Sequence, residues 1–358
     1  MTKPDIRAPQ DADAAWLSAV LAAGGVDARV ESFEAKKVGT GQIGDCVRFT
    51  LNYASAPPGA PKTIVGKFPA AGAESRAAGV SLGNYHREVK FYQLLQTRAR
   101  IATPRCYFTD VNEETHDFVL MMGDLAPAEQ GDQLAGCDIE ASKIVITEAA
   151  KLHAAFWQDE TLDGYVWVNG TTKAPNPVQP ELVLFLWKAF LERYGARVTL
   201  EARQIGDAMT ADISRYEQFR AGPRSLIHSD FRPDNMLFAT DRTTPPVVVV
   251  DWQSFGYGPP AADVGYFVSG AIDPVLRRAH ENELRDAYLE ELARQGAGHY
   301  DAEAFERHYI AGAYQHFLTA FFAAMVVTQT ERGDDMFFKM LNGAVDLVRD
   351  HKAEGVFA

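Results

Sequence analysis

Two apolar runs between Leu226 and Phe238 bracket a short polar segment holding His228, Asp230, Arg232, Asp234 and Asn235. Charge set among apolar residues is costly unless it is paired or used, so this segment is the first candidate for chemistry. Arg232-Pro233-Asp234-Asn235 is predicted to turn, because Pro fixes φ and Asp and Asn accept turn geometry. The turn carries Asp230 at one end and presents Asn235 at the other. A carboxylate beside an acceptor hydroxyl can take its proton, and an Asn carbonyl oxygen is a hard ligand suited to Mg2+. For any single residue of the set, a polar connector rich in turn formers is an equally good account. Beyond Asn235, V-V-V-V-D reads as a strand buried on both faces that delivers Asp251 at its end. That carboxylate either supplies a second metal oxygen or caps a turn.

The N-terminal third adds a cation and its partner. Lys67 stands inside the apolar strand T-I-V-G-K-F, on the face of Val65 and Thr63, where an ammonium seeks an anion. Glu88 follows Tyr85 by three residues and precedes Tyr92 by four, which puts it on or beside the inward face of a helix. Such a pair holds the lysine at the α- and β-phosphates in phosphoryl-transfer enzymes. Taken alone, an ordinary partly buried ion pair is the better account. Gly39, Gly41 and Gly44 have the spacing G-x-G-x-x-G. A dinucleotide site needs a helix to start at these glycines, but Val47, Phe49, Leu51 and Tyr53 alternate with polar residues at period two, which is a strand. A glycine-rich loop between strands can instead fold over phosphates, because missing side chains allow close backbone approach. A flexible hairpin turn is the plain alternative.

These residues need elements to position them. Asp11 and Asp13 precede an apolar helix ending at Gly24-Gly25. Strands follow to Phe68, then a helix with the stripe Tyr85, Val89, Tyr92 and Leu95, then two strands, R-C-Y-F-T-D-V and D-F-V-L-M-M. Beyond Asp124 the pattern is mainly helical, interrupted by the polar segment and the valine strand. The chain from about 159 to 180, rich in Gly, Asn, Thr and Pro, reads as an irregular loop. The expected fold is α+β and bilobal: a small β-rich lobe over residues 1–122, a hinge near Met121 to Leu125, and a larger helical lobe over 123–358.

Composition narrows the partners. The 358 residues are 47% hydrophobic and 23% charged, ordinary for a globular protein, and the formal net charge is −13. That balance argues against nucleic acid, whose phosphates select basic surfaces. Cys46, Cys106 and Cys137 are few, scattered and odd in number, which points to reduced thiols in a cytoplasm. The N-terminus lacks a signal-peptide core. The most apolar stretch, Phe317 to Val327, is too short to span a bilayer, so it is read as a buried helix. No membrane is expected, and nothing fixes an oligomeric state.

In order along the chain stand a glycine loop, a strand lysine, a helical glutamate, a hinge, L-I-H-S-D-F-R-P-D-N-M-L-F, V-V-V-V-D-W-Q and P-P-A-A-D-V-G-Y-F, with K-L-H-A-A-F-W ahead of the polar loop. This ordered set resembles the aminoglycoside phosphotransferase and choline kinase superfamily, nearest its ecdysteroid-kinase-like branch. The resemblance implies a protein-kinase-like fold and transfer of a phosphoryl group from ATP, with Mg2+, to a hydroxyl of a small molecule that is aminoglycoside-, choline- or ecdysteroid-like. It implies Asp230 as catalytic base, Asn235 and Asp251 as metal ligands, and Lys67 as a phosphate contact held by Glu88. Gly39, Gly41 and Gly44 would cover the phosphates, while the stretch from Met121 to Asp124, including Met122, would hold the adenine through backbone groups. His228 would be structural, Asp263 would brace the loop from the next helix, and His153 would pack in the core. Arg232 would offset phosphoryl charge, orient the acceptor or pair with an acid. Trp157, Trp187, Tyr266 and Phe267, at helical spacing, are read as core. Asp251-Trp252-Gln253 stands where protein kinases have Asp-Phe-Gly, and no Ala-Pro-Glu follows, which points away from protein substrates. A nucleotide-binding pseudokinase is the competing class, disfavoured because Lys67, Glu88, Asp230, Asn235 and Asp251 are all present.

Overall fold

A computed structural model describes residues 3–39, 43–168, 179–241 and 245–357. The chain packs as two compact units: Met1–Thr97 with Thr103–Pro127 and Val250–Gln253, and Arg98–Ala102 with Ala128–Val249 and Ser254–Ala358.

The first unit is built on an antiparallel sheet of β1 (Arg29–Val38), β2 (Gly44–Ser55), β3 (Thr63–Pro69), β4 (Cys106–Val111) and β5 (Phe118–Gly123), in the order β1-β2-β3-β5-β4. Helix α1 (Ala14–Ala23) begins at Asp13, whose carboxylate accepts the Trp16 amide at 2.7 Å. Its Trp16, Leu17, Val20 and Leu21 are buried with Val47, Phe49, Leu51, Ile64, Phe68, Val119 and Met121. Strand alternation therefore turns Cys46, Arg48, Val65 and Lys67 to the other face. After β3 come α2 (Ala73–Ser81) and α3 (Asn84–Lys90), whose Tyr85 ring stacks on Phe118 with centroids 4.6 Å apart.

The single helix expected from Tyr85 to Leu95 changes pitch. Residues Phe91–Leu95 form a wider π turn, with the Gln96 amide bonded to the Phe91 carbonyl at 2.9 Å. The wider turn buries two consecutive aromatics: Tyr92 sits edge-on to Phe91, and Phe91 stacks on Trp252 at 3.8 Å with an interplanar angle of 3°.

The second unit is mainly helical: α4 (Ile139–Ala155), α5 (Pro180–Tyr194), α6 (Leu200–Ala211), α7 (Ile213–Phe219), α8 (Ala261–Ala271), α9 (Pro274–Arg294), α10 (Ala302–Val326) and α11 (Glu331–Asp350). Its strands are short. β6 (Glu129–Gln130), β8 (Met236–Phe238) and β9 (Val247–Val249) form one sheet, and β7 (Ser225–Ile227) pairs with β10 (Gly256–Gly258) in another. Every residue of α8 is buried. It lies against α10 backbone to backbone, because a Cβ on Gly265 would stand 1.8 Å from the Tyr309 carbonyl oxygen and one on Gly312 only 2.1 Å from that of Ala262. That contact fixes the helix that carries Asp263 and Tyr266.

Three local expectations resolve here. The apolar stretch at Phe317 lies inside α10, and among the described residues no helix is long and apolar enough to cross a membrane. The valine strand is buried as β9, but Asp251 follows it by two residues and takes a left-handed φ of 67°. Of the chain expected as a loop from 159 to 180, Glu160–Gly164 forms a short helical turn, and residues 169–178 lie outside the described set.

Candidate active site

One cluster of charges lies within the first unit. Lys67 Nζ is 2.9 Å from Glu88 Oε1, 2.7 Å from Glu88 Oε2 and 2.7 Å from Asp251 Oδ1. The alternation of β3 turns Lys67 toward α3, and Glu88 is 1% exposed. Burial pushes the Lys67 ammonium down, but the charges of Asp251 and Glu88 outweigh it and raise the lysine above its ordinary value. The Trp252 amide also bonds the Glu88 carboxylate, so the chain at Asp251 is docked onto α3 by that bond and by the Trp252–Phe91 stack. The Asp251 side chain remains 27% exposed, with Gln253 Nε2 at 3.3 Å from Oδ2.

The other nominated residues of this unit flank the cluster. Gly39 has φ of 75°, and Gly41 lies outside the described residues. A Cβ on Gly44 would stand 3.1 Å from Lys67 Cε, so the bare glycine lets the start of β2 lie along the lysine stem. The loop is tied down at its end: Tyr85 Oη donates to the Ile43 carbonyl at 2.7 Å, and Asp45 accepts the Ala71 amide at 3.0 Å. Met122 sits in β5 opposite Val65 on one side and Cys106 on the other. The Asp124 carboxylate is engaged by Arg48 at 2.6 and 3.1 Å and caps the Ala126 amide at 3.1 Å.

A second cluster lies within the second unit, on the loop from β7 to β8. Asp263, 1% exposed in the first turn of α8, accepts the His228 and Ser229 amides at 2.6 and 2.9 Å. His153, fully buried, reaches the same carboxylate at 3.2 Å and Tyr288 Oη at 2.9 Å. The brace is therefore as expected, and it holds Ser229 at φ of 68°. Asp230 Oδ1 meets Arg232 Nε at 3.0 Å and Tyr266 Oη at 2.8 Å. Asn235 Nδ2 donates to Asp230 Oδ2 and to its carbonyl, each at 2.8 Å. Arg232 also reaches Asp234 at 2.7 Å. Burial pushes the Asp230 carboxyl up, but the Arg232 charge, the Tyr266 hydroxyl, His228 and Asn235 more than offset it and hold it below the usual carboxylate range.

A family model described as the phosphotransferase enzyme family matches residues 73–305. The chain belongs to that family. No match was found among the curated proteins. Among solved structures, a microcompartment-associated aminopropanol kinase is similar with a TM-score of 0.56 at 12% identity, covering 90% of this chain and 94% of that one. The ethanolamine kinase of Plasmodium vivax is similar at 0.52 and 11%, over 88% and 82% of the two chains. The GDP complex of an aminoglycoside 2'-phosphotransferase is similar at 0.50 and 13%, over 88% and 93%. At such identities the likeness is one of fold, and it agrees with the α+β, kinase-like class read from the sequence.

In this phosphotransferase, Lys67, Glu88 and Asp251 come together in one unit and Asp230 and Asn235 in the other. Tyr266 was missed as a partner of Asp230. The signal was present: it follows Asp263 by three residues, so on a helix both face the loop that Asp263 braces. Arg48 was missed as well, since nothing local marks its pairing across the sheet with Asp124. Among the described residues no three His, Cys, Asp or Glu side chains gather into a metal cage. Asp251 in the first unit and Asn235 in the second each carry an oxygen of the hard kind that Mg2+ takes.

Proposed function

We propose that this chain transfers the γ-phosphoryl group of ATP, with Mg2+, to a hydroxyl of a small molecule. The observation that carries the proposal is the grip of Lys67 by Glu88 and Asp251, residues 21 and 184 positions away in sequence. An ammonium flanked by two carboxylates stays charged and fixed, which is what a phosphate contact requires. In this reading the first unit binds nucleotide, with Gly39, Gly41 and Gly44 over the phosphates and the backbone from Met121 to Asp124, Met122 included, at the base. The second unit binds the acceptor. Asn235 and Asp251 would hold Mg2+, which would supply positive charge to neutralise the phosphates.

Asp230 then takes the acceptor proton. Its depressed pKa makes it a weak base but keeps it ionised, and a loose transition state asks mainly that the hydroxyl be aimed. The lowered value therefore fits a carboxylate that orients the hydroxyl and receives its proton late. Arg232 sets a fixed positive charge beside it. The three cysteines, all free, fit a reducing cytoplasm.

The test is a single-turnover assay with labelled Mg-ATP and a panel of ethanolamine, aminopropanol, choline, gentamicin and an ecdysteroid. A phosphorylated product with at least one of them is expected. Tight nucleotide binding with no product from any of them, and no slow hydrolysis to water, would favour the regulatory nucleotide-binding class instead.

A further inference from the structure

The surroundings of Asp230 extend further than its direct partners. Its ring of support starts at Tyr266, whose hydroxyl keeps its proton because burial and the adjacent Asp230 charge push it well above the usual tyrosine range. Behind Tyr266 stands His316 of α10, fully buried, with its ring centroid 4.3 Å away. His316 Nδ1 lies 2.8 Å from Ser269 Oγ, and that hydroxyl donates to the Tyr266 carbonyl at 3.0 Å. Ser269 thus has only a lone pair to offer, so the proton on this contact belongs to Nδ1 of a neutral imidazole. Burial agrees, since it pushes His316 down to about 3. On the other side of Asp230, Arg232 leads to Asp234, whose Oδ1 accepts the Gln133 amide at 2.9 Å. The side chains of Gln133 and His316 both pack on Gly270 of α8, where a Cβ would stand 2.7 Å from Gln133 Nε2 and 2.0 Å from His316 Cε1.

An ionised carboxylate has about four lone-pair directions. Arg232 Nε and Tyr266 Oη take both directions at Oδ1, and Asn235 Nδ2 takes one at Oδ2. Among the described residues, one direction at Oδ2 remains. We propose that Tyr266 is a positioning residue for phosphoryl transfer: by saturating Oδ1 against a ring fixed by His316, it leaves Asp230 a single Oδ2 lone pair to aim at the acceptor hydroxyl. This deepens the reading above and rests on Asp230 being the base.

The experiment uses slow Mg-ATP hydrolysis with water as acceptor, read as kcat and KM for wild type, Tyr266→Phe and Asp230→Asn. Tyr266→Phe keeps the ring on His316 and removes one hydrogen bond to a charged group, so kcat should fall about tenfold with KM for Mg-ATP unchanged. Arg232, Asn235, His228 and Asp234 keep their places around Asp230, while Thr319, whose side chain bonds the Tyr266 hydroxyl, is left beside the phenyl ring. Replacing Tyr266 with 3-fluorotyrosine makes a stronger donor of nearly the same shape and should change kcat with KM for Mg-ATP unchanged. An unmoved kcat in Tyr266→Phe, with Asp230→Asn slowed, overturns the role of Tyr266. Asp230→Asn turning over like wild type instead overturns the assignment of the base. If Tyr266→Phe loses nucleotide binding and its melting transition, the fluorotyrosine variant decides alone: a changed kcat at unchanged KM supports the proposal and an unchanged one ends it.

Discussion

The two polar clusters are held in opposite ways. At Lys67 the holding force is Coulombic: one ammonium between two carboxylates, brought from β3, α3 and the chain after β9. At Asp230 it is directional: amide, guanidinium and phenol donors converge on one carboxylate, and most of them come from a loop eight residues long. The first arrangement carries an excess of negative charge and welcomes a further cation. The second spends its donors to keep one anion oriented. A site that binds a metal triphosphate needs the first kind of order, and a site that aims a hydroxyl needs the second.

Two substitutions should break this contrast most sharply, each in its own way. Asp230→Asn keeps shape and Asn235 within reach but cannot accept a proton, so turnover should fall about 10²–10⁴-fold, while nucleotide affinity by calorimetry stays within about twofold. Asp251→Ala should do the reverse to binding: the gain in nucleotide affinity on adding Mg2+ should largely vanish. If Mg2+ still tightened binding as in wild type, Asp251 would not be a metal ligand. If Asp230→Asn also lost nucleotide binding, the division of labour between the clusters would be wrong.

This contrast also explains what could be read from sequence. Lys67 and Asp251 were legible because a charge inside or beside an apolar strand is anomalous wherever it occurs. Asp230 and Asn235 were legible because a short polar loop between apolar runs is equally anomalous. Tyr266 was not, since an aromatic on a buried helix looks the same whether its hydroxyl points at a carboxylate or at nothing. Its role depends on how α8 packs against the loop, which no local pattern states. The π turn after Lys90 was hidden for a similar reason: Phe91 and Tyr92 fit an ordinary helical stripe, and the wider turn shows only where Trp252 meets Phe91. Arg48 and Asp124 are far apart in sequence and each is unremarkable alone.

The next effect in size tests the brace behind the second cluster. Asp263→Asn leaves one carbonyl oxygen where two amides and His153 now converge, so a buried donor loses its acceptor. A loss of about 3–5 kcal/mol in denaturant unfolding is expected, together with lower turnover. Asp230→Asn keeps an oxygen for Arg232 and Tyr266 and gives up the Asn235 contact at Oδ2, so it should cost less than Asp263→Asn. Equal stability in the two variants would show that Asp263 does not organise the loop.

A smaller effect separates structural charge from catalytic charge. His351 lies 2.6 Å from both Glu281 and Glu306. Burial lowers its pKa, but the two carboxylates outweigh burial and raise it to about 9. A raised histidine stabilises the fold fully below its unfolded value of about 6.5, and that contribution is lost as pH rises through about 9. Up to about 3 kcal/mol is at stake. Wild type should therefore lose stability between those values more steeply than His351→Gln, while the pH dependence of Mg-ATP binding stays the same in both. Parallel stability curves would remove His351 as the source.

The smallest effect probes how the first cluster is joined to its loop. Tyr85→Phe keeps the ring stacked on Phe118 and deletes the hydroxyl, which donates to the Ile43 carbonyl at 2.7 Å and accepts the Ala70 amide at a longer 3.4 Å. The short bond to Ile43 contributes about 1 kcal/mol, so the Kd for Mg-ATP should rise roughly fivefold with kcat at saturating nucleotide unchanged. That outcome would place Tyr85 with the Coulombic cluster, as a strap from the helix of Glu88 to the loop beside Gly44. A change in kcat at unchanged Kd would mean the loop governs the transfer step, and the simple split between holding a triphosphate and aiming a hydroxyl would have to be redrawn. If neither moved, the Asp45 bond to the Ala71 amide would be the contact that fixes the loop.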